Sequence, residues 1–239
     1  MSKLYRIKKL LENNYNLKDD NKEYHPKTYQ ELNELLSVLI YKYGYEVDLN
    51  NVDVSNINDF HAIFFDKVYF KGDVSEWDVS NGLWFDAMFH GCSEFNSDVS
   101  NWDVSSGKHF SLMFLECEKF TGNLSIWNVS NGINFWQMFI RCYKFNSDLS
   151  RWDISSGKSF EHMFYFCYAF NSDLSRWNVH KGDCFHSMFH NCRKFNADLS
   201  EWDVSSGKKF KSMFYSCKKF NSDLSGWDVS NGEEFQKVF

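Results

Sequence analysis

Tryptophan returns at positions 77, 102, 127, 152, 177, 202 and 227, a step of 25 residues with no insertion or deletion. The same step carries Phe85, Phe110, Phe135, Phe160, Phe185, Phe210 and Phe235, with Phe60 one step earlier. Met88, Met113, Met138, Met163, Met188 and Met213 follow, each with Phe directly after it. A cysteine column stands at 92, 117, 142, 167, 192 and 217, and a third phenylalanine column at 95, 120, 145, 170, 195 and 220. Three columns hold 23 of the 25 Phe, so the 19% aromatic content is a ladder and not a scatter. A period of this length implies stacked supersecondary units, because one unit cannot bury its apolar faces alone.

Within a unit, Phe160, Met163, Phe164 and Cys167 are spaced i, i+3, i+4, i+7, which predicts one face of a helix. Ser156 before Gly157 is the expected N-cap, as are Asn81, Ser106, Asn131, Ser206 and Asn231 in their units. Leu174, Trp177 and Val179 fit a short extended stretch with Trp and Val on one side. Asn171-Ser172-Asp173 supplies turn chemistry between them, and the glycine column from Gly82 to Gly232 reads as turn residues. The expected fold class is an α/β repeat solenoid, a stack of 25-residue strand-helix coils. Parallel strands lie about 4.8 Å apart and helices need about 8–10 Å, so the stack should curve with the strands inside.

The polar columns have structural readings first. Asn96, Asn146, Asn171, Asn196 and Asn221, with Thr121 as the odd member, are expected to bond to backbone groups of the neighbouring coil. Aspartates at 73, 98, 148, 173, 198 and 223, and at 78, 103, 153, 203 and 228, would repel when stacked unless each accepts local N–H bonds. Turn aspartates are the favoured reading and a calcium site is the alternative. The cysteines fall on the apolar face beside Met and Phe, with no C-x-x-C pair, which points to free buried thiols rather than zinc.

Signals of catalysis are close to absent. None of the eight His joins an H-E-x-x-H motif, and neither a Walker loop nor a G-x-S-x-G elbow occurs. His186 and His190 sit at i, i+4, but no third ligand is singled out. The expectation is no metal, no cofactor and no enzymatic activity.

Upstream, Thr28 to Tyr43 is a predicted helix with Leu32, Leu35, Leu36 and Leu39 on one face and Thr28 as N-cap. With a segment over Lys3–Glu12 it is expected to form an N-terminal helical cap, residues 1–45. Residues 46–239 then make a solenoid of about eight repeats, the last incomplete. The chain stops at Phe239 with no polar closing repeat, so Trp227, Val229, Phe235 and Phe239 are expected to form an edge for a homodimer or a partner. No apolar run approaches the roughly 18 residues of a membrane span, and the N-terminal residues lack a secretory signal's apolar stretch. The expected location is the cytoplasm, with no membrane partner. A net charge of −6 gives no global attraction to nucleic acid.

The phrase Phe-Asn-Ser-Asp-Leu-Ser-x-Trp-Asp-Val-Ser, followed by x-Met-Phe-x-x-Cys, resembles the BspA-like leucine-rich-repeat family and its mycoplasma-type lipoprotein repeats. The resemblance covers about residues 46–239. It implies a leucine-rich-repeat-like stack, binding of macromolecules and no catalysis, without naming the partner.

Function in a repeat array lies at positions that vary between units. Residues one, five and eight after the first Phe share one flank, and in the middle units they turn aromatic. Trp136, Ile140, Tyr143, Tyr165 and Tyr168, with Phe166, form the expected partner-binding patch. A second surface is a basic ridge of Lys119, Lys144, Arg193, Lys194, Lys208, Lys209, Lys211, Lys218 and Lys219, suited to RNA phosphates or an acidic protein face. The expected function is a non-enzymatic intracellular repeat protein docking on a protein or protein–RNA complex. Its size and style suit an inhibitor of a bacterial defence nuclease carried by a phage or mobile element. The alternative is a bacterial surface adhesin.

Overall fold

The computed structural model describes residues 23–239, and the helix expected over Lys3–Glu12 lies outside them. Helix α1 spans Tyr29–Tyr43. Thr28 is its N-cap, with Oγ1 accepting from the Glu31 N–H, while the Glu31 carboxylate accepts from the Lys27 N–H. Gly44 closes it at φ 89°, donating to the Ile40 carbonyl. Leu32, Leu35, Leu36 and Leu39 are buried and join the core of the following coils. Tyr24 ahead of the helix bridges Val52 in the first coil.

No α-helix follows α1 among the described residues, which corrects the strand-helix unit expected from the sequence. The reason lies in where the backbone donors go. In the unit of Phe160, the N–H groups of Phe160, His162, Phe164 and Phe166 donate to Cys184, His186, Met188 and His190 of the next unit, at 2.8–3.0 Å. The alternate donors, Met163, Tyr165 and Cys167, reach the carbonyl three residues back at 2.9–3.1 Å. An α-helix would bind all of them four residues back. The segment is instead a run of tight turns, each half-paired to the next coil.

That path passes through the left-handed region at the second and sixth residues after the first Phe. Fourteen non-glycine residues sit there with φ of 52–63°. Each costs roughly 1–2 kcal/mol of backbone sterics, and inter-coil hydrogen bonds of roughly 0.5–1.5 kcal/mol each offset this. Two four-residue turns in succession send residues i, i+3, i+4 and i+7 inward, as a helix would, so the apolar spacing cannot separate the two. Gly91, at φ 76°, is the one glycine in the sixth-residue column. Gly91→Ala adds a Cβ within 2.6 Å of Asp66 Oδ1 in the same strained backbone. It should lower the melting temperature by about 2–4 °C, and Ser216→Gly in the same column should raise it by a similar amount. Calorimetry that gave both variants the same sign would contradict this account.

The strand expected over Leu174–Val179 is also replaced by turns, with Trp177 N–H on Leu174 O at 3.0 Å and Gly182 N–H on Val179 O at 2.7 Å. Regular pairing shrinks to single-residue parallel bridges just before each first Phe, running Asp59, Trp84, His109, Asn134, Ser159, Cys184, Lys209 and Glu234. The expected N-caps therefore have another role. Asn81, Asn131 and Asn231 donate through Nδ2 to Ser55, Ser105 and Ser205 carbonyls of the preceding coil at 2.8 Å. The Asn171 column bonds to the neighbouring coil as expected, with Asn171, Asn196 and Asn221 N–H each on the previous Asn Oδ1 at 2.7–2.9 Å.

The core is a set of ring columns. Trp rings follow one another at 6.3–6.5 Å, nearly parallel. The phenylalanines after Met stack at 5.2–5.7 Å. With no helix in the unit, the strand-against-helix mismatch from which curvature was expected is absent. Each Trp Nε1–H donates to the preceding coil, as Trp152 does to Leu124 O at 2.8 Å. The glycine column is set by a close approach: a Cβ on Gly157 would lie 2.6 Å from its own unit's Phe160 Cζ and 3.0 Å from Ile154 O.

The cysteine column is free and inward. Cys142 Sγ donates to Phe114 O at 3.0 Å and Cys167 Sγ to Phe139 O at 2.9 Å, each crossing to the preceding coil. Burial pushes these thiols far above the ordinary range, and Cys92 and Cys217 up to about 12. The aspartates make local turns: Asp148 Oδ1 accepts from Ser150 N–H and Asp153 Oδ1 from Ser155 N–H, at 2.9 and 3.0 Å. Those hydrogen bonds hold both carboxyls below the usual carboxylate range.

Candidate functional site

With the repeating columns committed to the core or to turns, the flank formed by positions one, five and eight after the first Phe carries the variation. Tyr143 stacks on Tyr168 with ring centres 5.1 Å apart and 10° between planes. The Arg193 guanidinium caps Tyr168 at 4.2 Å, so this column is continuous over three units. Beside it Tyr165 packs on His190 at 4.6 Å, and His190 on Tyr215 at 5.0 Å. Phe166 ties the columns together, edge-on to Tyr165 at 4.5 Å and to Tyr168 at 5.8 Å. Of the residues expected from sequence, Tyr143, Tyr165, Phe166 and Tyr168 are brought together.

Trp136 and Ile140 are half-buried on neighbouring positions, and Trp136 has no ring partner among the described residues. His190, Arg193 and Tyr215 belong to the same surface, and their membership follows from the 25-residue register alone. More strongly exposed aromatics lie elsewhere. Tyr41, Tyr43, Tyr45, Phe65 and Tyr69, the last 65% exposed, gather where α1 meets the first coils. Tyr45 and Tyr69 meet edge-on at 5.9 Å there, and Phe65 packs edge-on against His90 at 4.7 Å. Sequence reasoning passed over them because they precede the regular units.

The basic residues are spread over several columns. Lys119 pairs with Glu94 at 2.5 Å, and Ala169 interrupts the column of Lys144 and Lys194. Lys209 occupies the bridge column and lies 3.9 Å from Glu234, with Lys208 beside it. Lys219 continues the Lys144 column directly after Lys194, Lys218 follows Arg193 in the column beside it, and Lys211 stands in a third column of the same unit. At the far end, Trp227, Phe235 and Phe239 continue their columns, each stacked on the unit before it at 6.4, 5.4 and 5.7 Å. Val229 and Phe235 are exposed, and Phe239 more so.

A compact chemical cluster stands between the units of Phe160 and Phe185. Glu161 and His186 hold the same register one coil apart, each directly after its first Phe. His162 follows Glu161 at φ 55°, and its N–H on His186 O at 2.9 Å locks the two coils together. Glu161 Oε1 lies 3.3 Å from His162 Nδ1 and 3.8 Å from His186 Nδ1. The other carboxylate oxygen accepts from Cys184 Sγ at 3.6 Å. The two imidazoles are 4.8 Å apart. Burial, then the neighbouring His186, lower the His162 pKa, so His162 is neutral near pH 7.

This placement corrects the pairing of His186 with His190 on a helix and the reading that no third ligand is singled out. His190 is drawn into the tyrosine column, whereas His186 meets Glu161 and His162 across the coil boundary. The expectation of no metal rested on the helical register, which the turns replace.

Comparison with curated proteins and with solved structures gives no match. No helix among the described residues is long and apolar enough to cross a membrane. A family pattern does match, over residues 36–152, 111–192 and 133–239, which together span the coils and the second half of α1. The chain thus belongs to a repeat family described as Mycoplasma protein of unknown function, DUF285.

Proposed function

We propose that this chain is a non-enzymatic interaction module, a solenoid with an N-terminal helical cap that docks a protein partner on its aromatic flank. The observation that carries the reading is the Tyr143–Tyr168–Arg193 stack, its two rings half-buried under an exposed Arg193 and set at positions that differ from unit to unit. Tyr and Arg are the side chains most often dominant at protein interfaces, and rings already held by their neighbours lose little freedom on binding. The Trp-Asp-Val-Ser phrase supports a kinship with BspA-like leucine-rich repeats, within which macromolecular binding is the expected role. An acidic net charge and a dispersed set of lysines favour protein over RNA as the partner.

The test is comparative capture. Wild-type protein and the Tyr143→Ser/Tyr168→Ser variant are immobilised and exposed to a mycoplasma lysate, and retained proteins are identified by mass spectrometry. The expected result is a defined protein set held by the wild type and by Lys158→Ser, and reduced about 100-fold or more by the double substitution. Equal retention by the double variant, with an unchanged melting curve, would reject the aromatic flank as the docking surface.

A further inference from the structure

We propose that Glu161, His162 and His186 form a binding site for a divalent transition-metal ion of the zinc class. The inference is independent of the docking surface and rests on the side-chain arrangement at one coil boundary. One ligand atom from each residue lies within 4.8 Å of the other two. In a tetrahedral zinc site with arms of about 2.0–2.1 Å, neighbouring ligand atoms are roughly 3.3 Å apart. The Glu161 Oε1 distances of 3.3 Å to His162 Nδ1 and 3.8 Å to His186 Nδ1 come close to that edge, so small side-chain rotations would close the site.

A second observation points to a missing ligand. His162 Nδ1 is buried without a hydrogen-bond partner, as are His90 Nδ1 and His190 Nδ1, but among the described residues it is only here that a carboxylate and a second imidazole converge on such a nitrogen. A buried polar nitrogen without a partner is costly, and a metal ion would satisfy it. The donor set of two imidazoles and one carboxylate is borderline in softness, which suits zinc over magnesium or calcium. The backbone also preorganises it: the His162 N–H bond to His186 O fixes both residues at the same boundary.

The surroundings define the rest of the site. Cys184 donates to Glu161 Oε2 and so orients the carboxylate, the part an outer-shell group takes in metal sites. All three ligands are partly exposed, leaving a fourth position open to water or to a partner's side chain. Trp136 precedes Glu161 in the column, and Lys211 follows His186. The lysine opposes a cation, so Lys211→Ala should tighten binding. No other group of three or more such ligands occurs among the described residues, although the same register repeats in each unit. The site arises where Glu, His and His happen to meet in two successive units.

The experiment uses the whole chain without a histidine tag, reduced and stripped with chelator, titrated with Zn²⁺ by calorimetry. Cobalt(II) substitution provides a spectroscopic second readout. The expected result is one ion per chain, with intense visible d–d bands from cobalt in a low-coordinate site. His186→Gln and Glu161→Gln should each weaken zinc at least roughly 10–100-fold, while His180→Gln leaves it unchanged. Circular dichroism confirms that each variant is folded, and should His162→Gln not fold, His186→Gln carries the test. Absence of zinc binding, or wild-type affinity in folded His186→Gln, would overturn the proposal. So would loss of binding in Cys184→Ser/Cys217→Ser with retention in His186→Gln, which would assign the ion to thiols.

Discussion

Raising the pH to 10 should unfold this protein or leave it barely stable, even in reducing buffer. Cys92, Cys117, Cys142, Cys167, Cys192 and Cys217 are packed between coils with thiol pKa values pushed up by burial. In the unfolded chain they titrate near their ordinary value of 9.0. Above that pH the unfolded state releases protons that the folded state keeps, so stability falls as pH rises. The contribution is complete below about pH 8.5 and is lost through the window up to the folded values, about 12 for Cys92 and Cys217. One pH unit above the unfolded pKa, each thiol costs roughly 1.4 kcal/mol, and the six together roughly 8 kcal/mol. That rivals the whole stability of an ordinary domain, about 5–15 kcal/mol. Urea unfolding from pH 7 to 10 measures it, and replacing Cys117, Cys142 and Cys167 with Ala should halve the alkaline slope. A slope unaltered by the triple substitution would show that the thiols are not its source. On the acid side the signs reverse: hydrogen bonds from Ser55 and His25 hold Asp53 at about 2, so its contribution is present above the ordinary value of 3.8 and disappears as pH falls towards 2.

The second large effect is expected from cutting one ring out of the centre. Phe164 has no exposed surface and stacks on Phe139 and Phe189 in the adjoining coils at 5.6 and 5.7 Å, and on Phe170 at 4.0 Å. Phe164→Ala should cost about 3–5 kcal/mol, of which each lost ring pair supplies roughly 0.5–1.5 kcal/mol. Because each coil touches only its neighbours, the cavity also weakens the coupling between the units before and after it. Urea unfolding should then broaden or divide into two steps. Phe239→Ala, on a ring 73% exposed, should move the midpoint far less. Equal shifts from both substitutions would contradict nearest-neighbour stacking.

The period, the unit boundaries, the capped helix α1 and the asparagine ladder are all legible in the sequence, because they depend on which residues recur and at what distance. The backbone path inside the unit is not. Phe160, Met163, Phe164 and Cys167 point inward from an α-helix and from two successive tight turns alike, so spacing alone favours the commoner element. A weaker signal does exist in the column Asp66, Gly91, Glu116, Arg141, Phe166, Asn191 and Ser216. Asp, Gly and Asn are the residues most at ease with left-handed φ, and their sharing one position argues against a helix interior. The same error hid the metal ligands. A helical register joins His186 to His190, whereas the turns place His186 opposite His162, 24 residues away and bonded to it. The tyrosine stack was easier to anticipate, because it follows the 25-residue register and no assumption about local backbone.

The forward excess of the inter-coil bonds in the turn segments gives the molecule an electrical axis. From Phe60 to Phe214, four N–H groups per unit in the turn segments (three in the last) donate towards the following coil, and they outnumber the backward bonds, such as Lys108 N–H on Leu83 O and Lys119 N–H on Ser93 O. Peptide dipoles along those columns therefore add head to tail, as they do in a helix, but along the stack and without any helical turn. The carbonyl end faces the first coils, where the Lys67 ammonium already sits 3.3 Å from Ile63 O. The amide end faces the later units, which also carry Arg193, Lys208, Lys211 and Lys218. A chain acidic overall thus offers anions a preferred end, and in low salt it should orient in an applied field along the line of its coils.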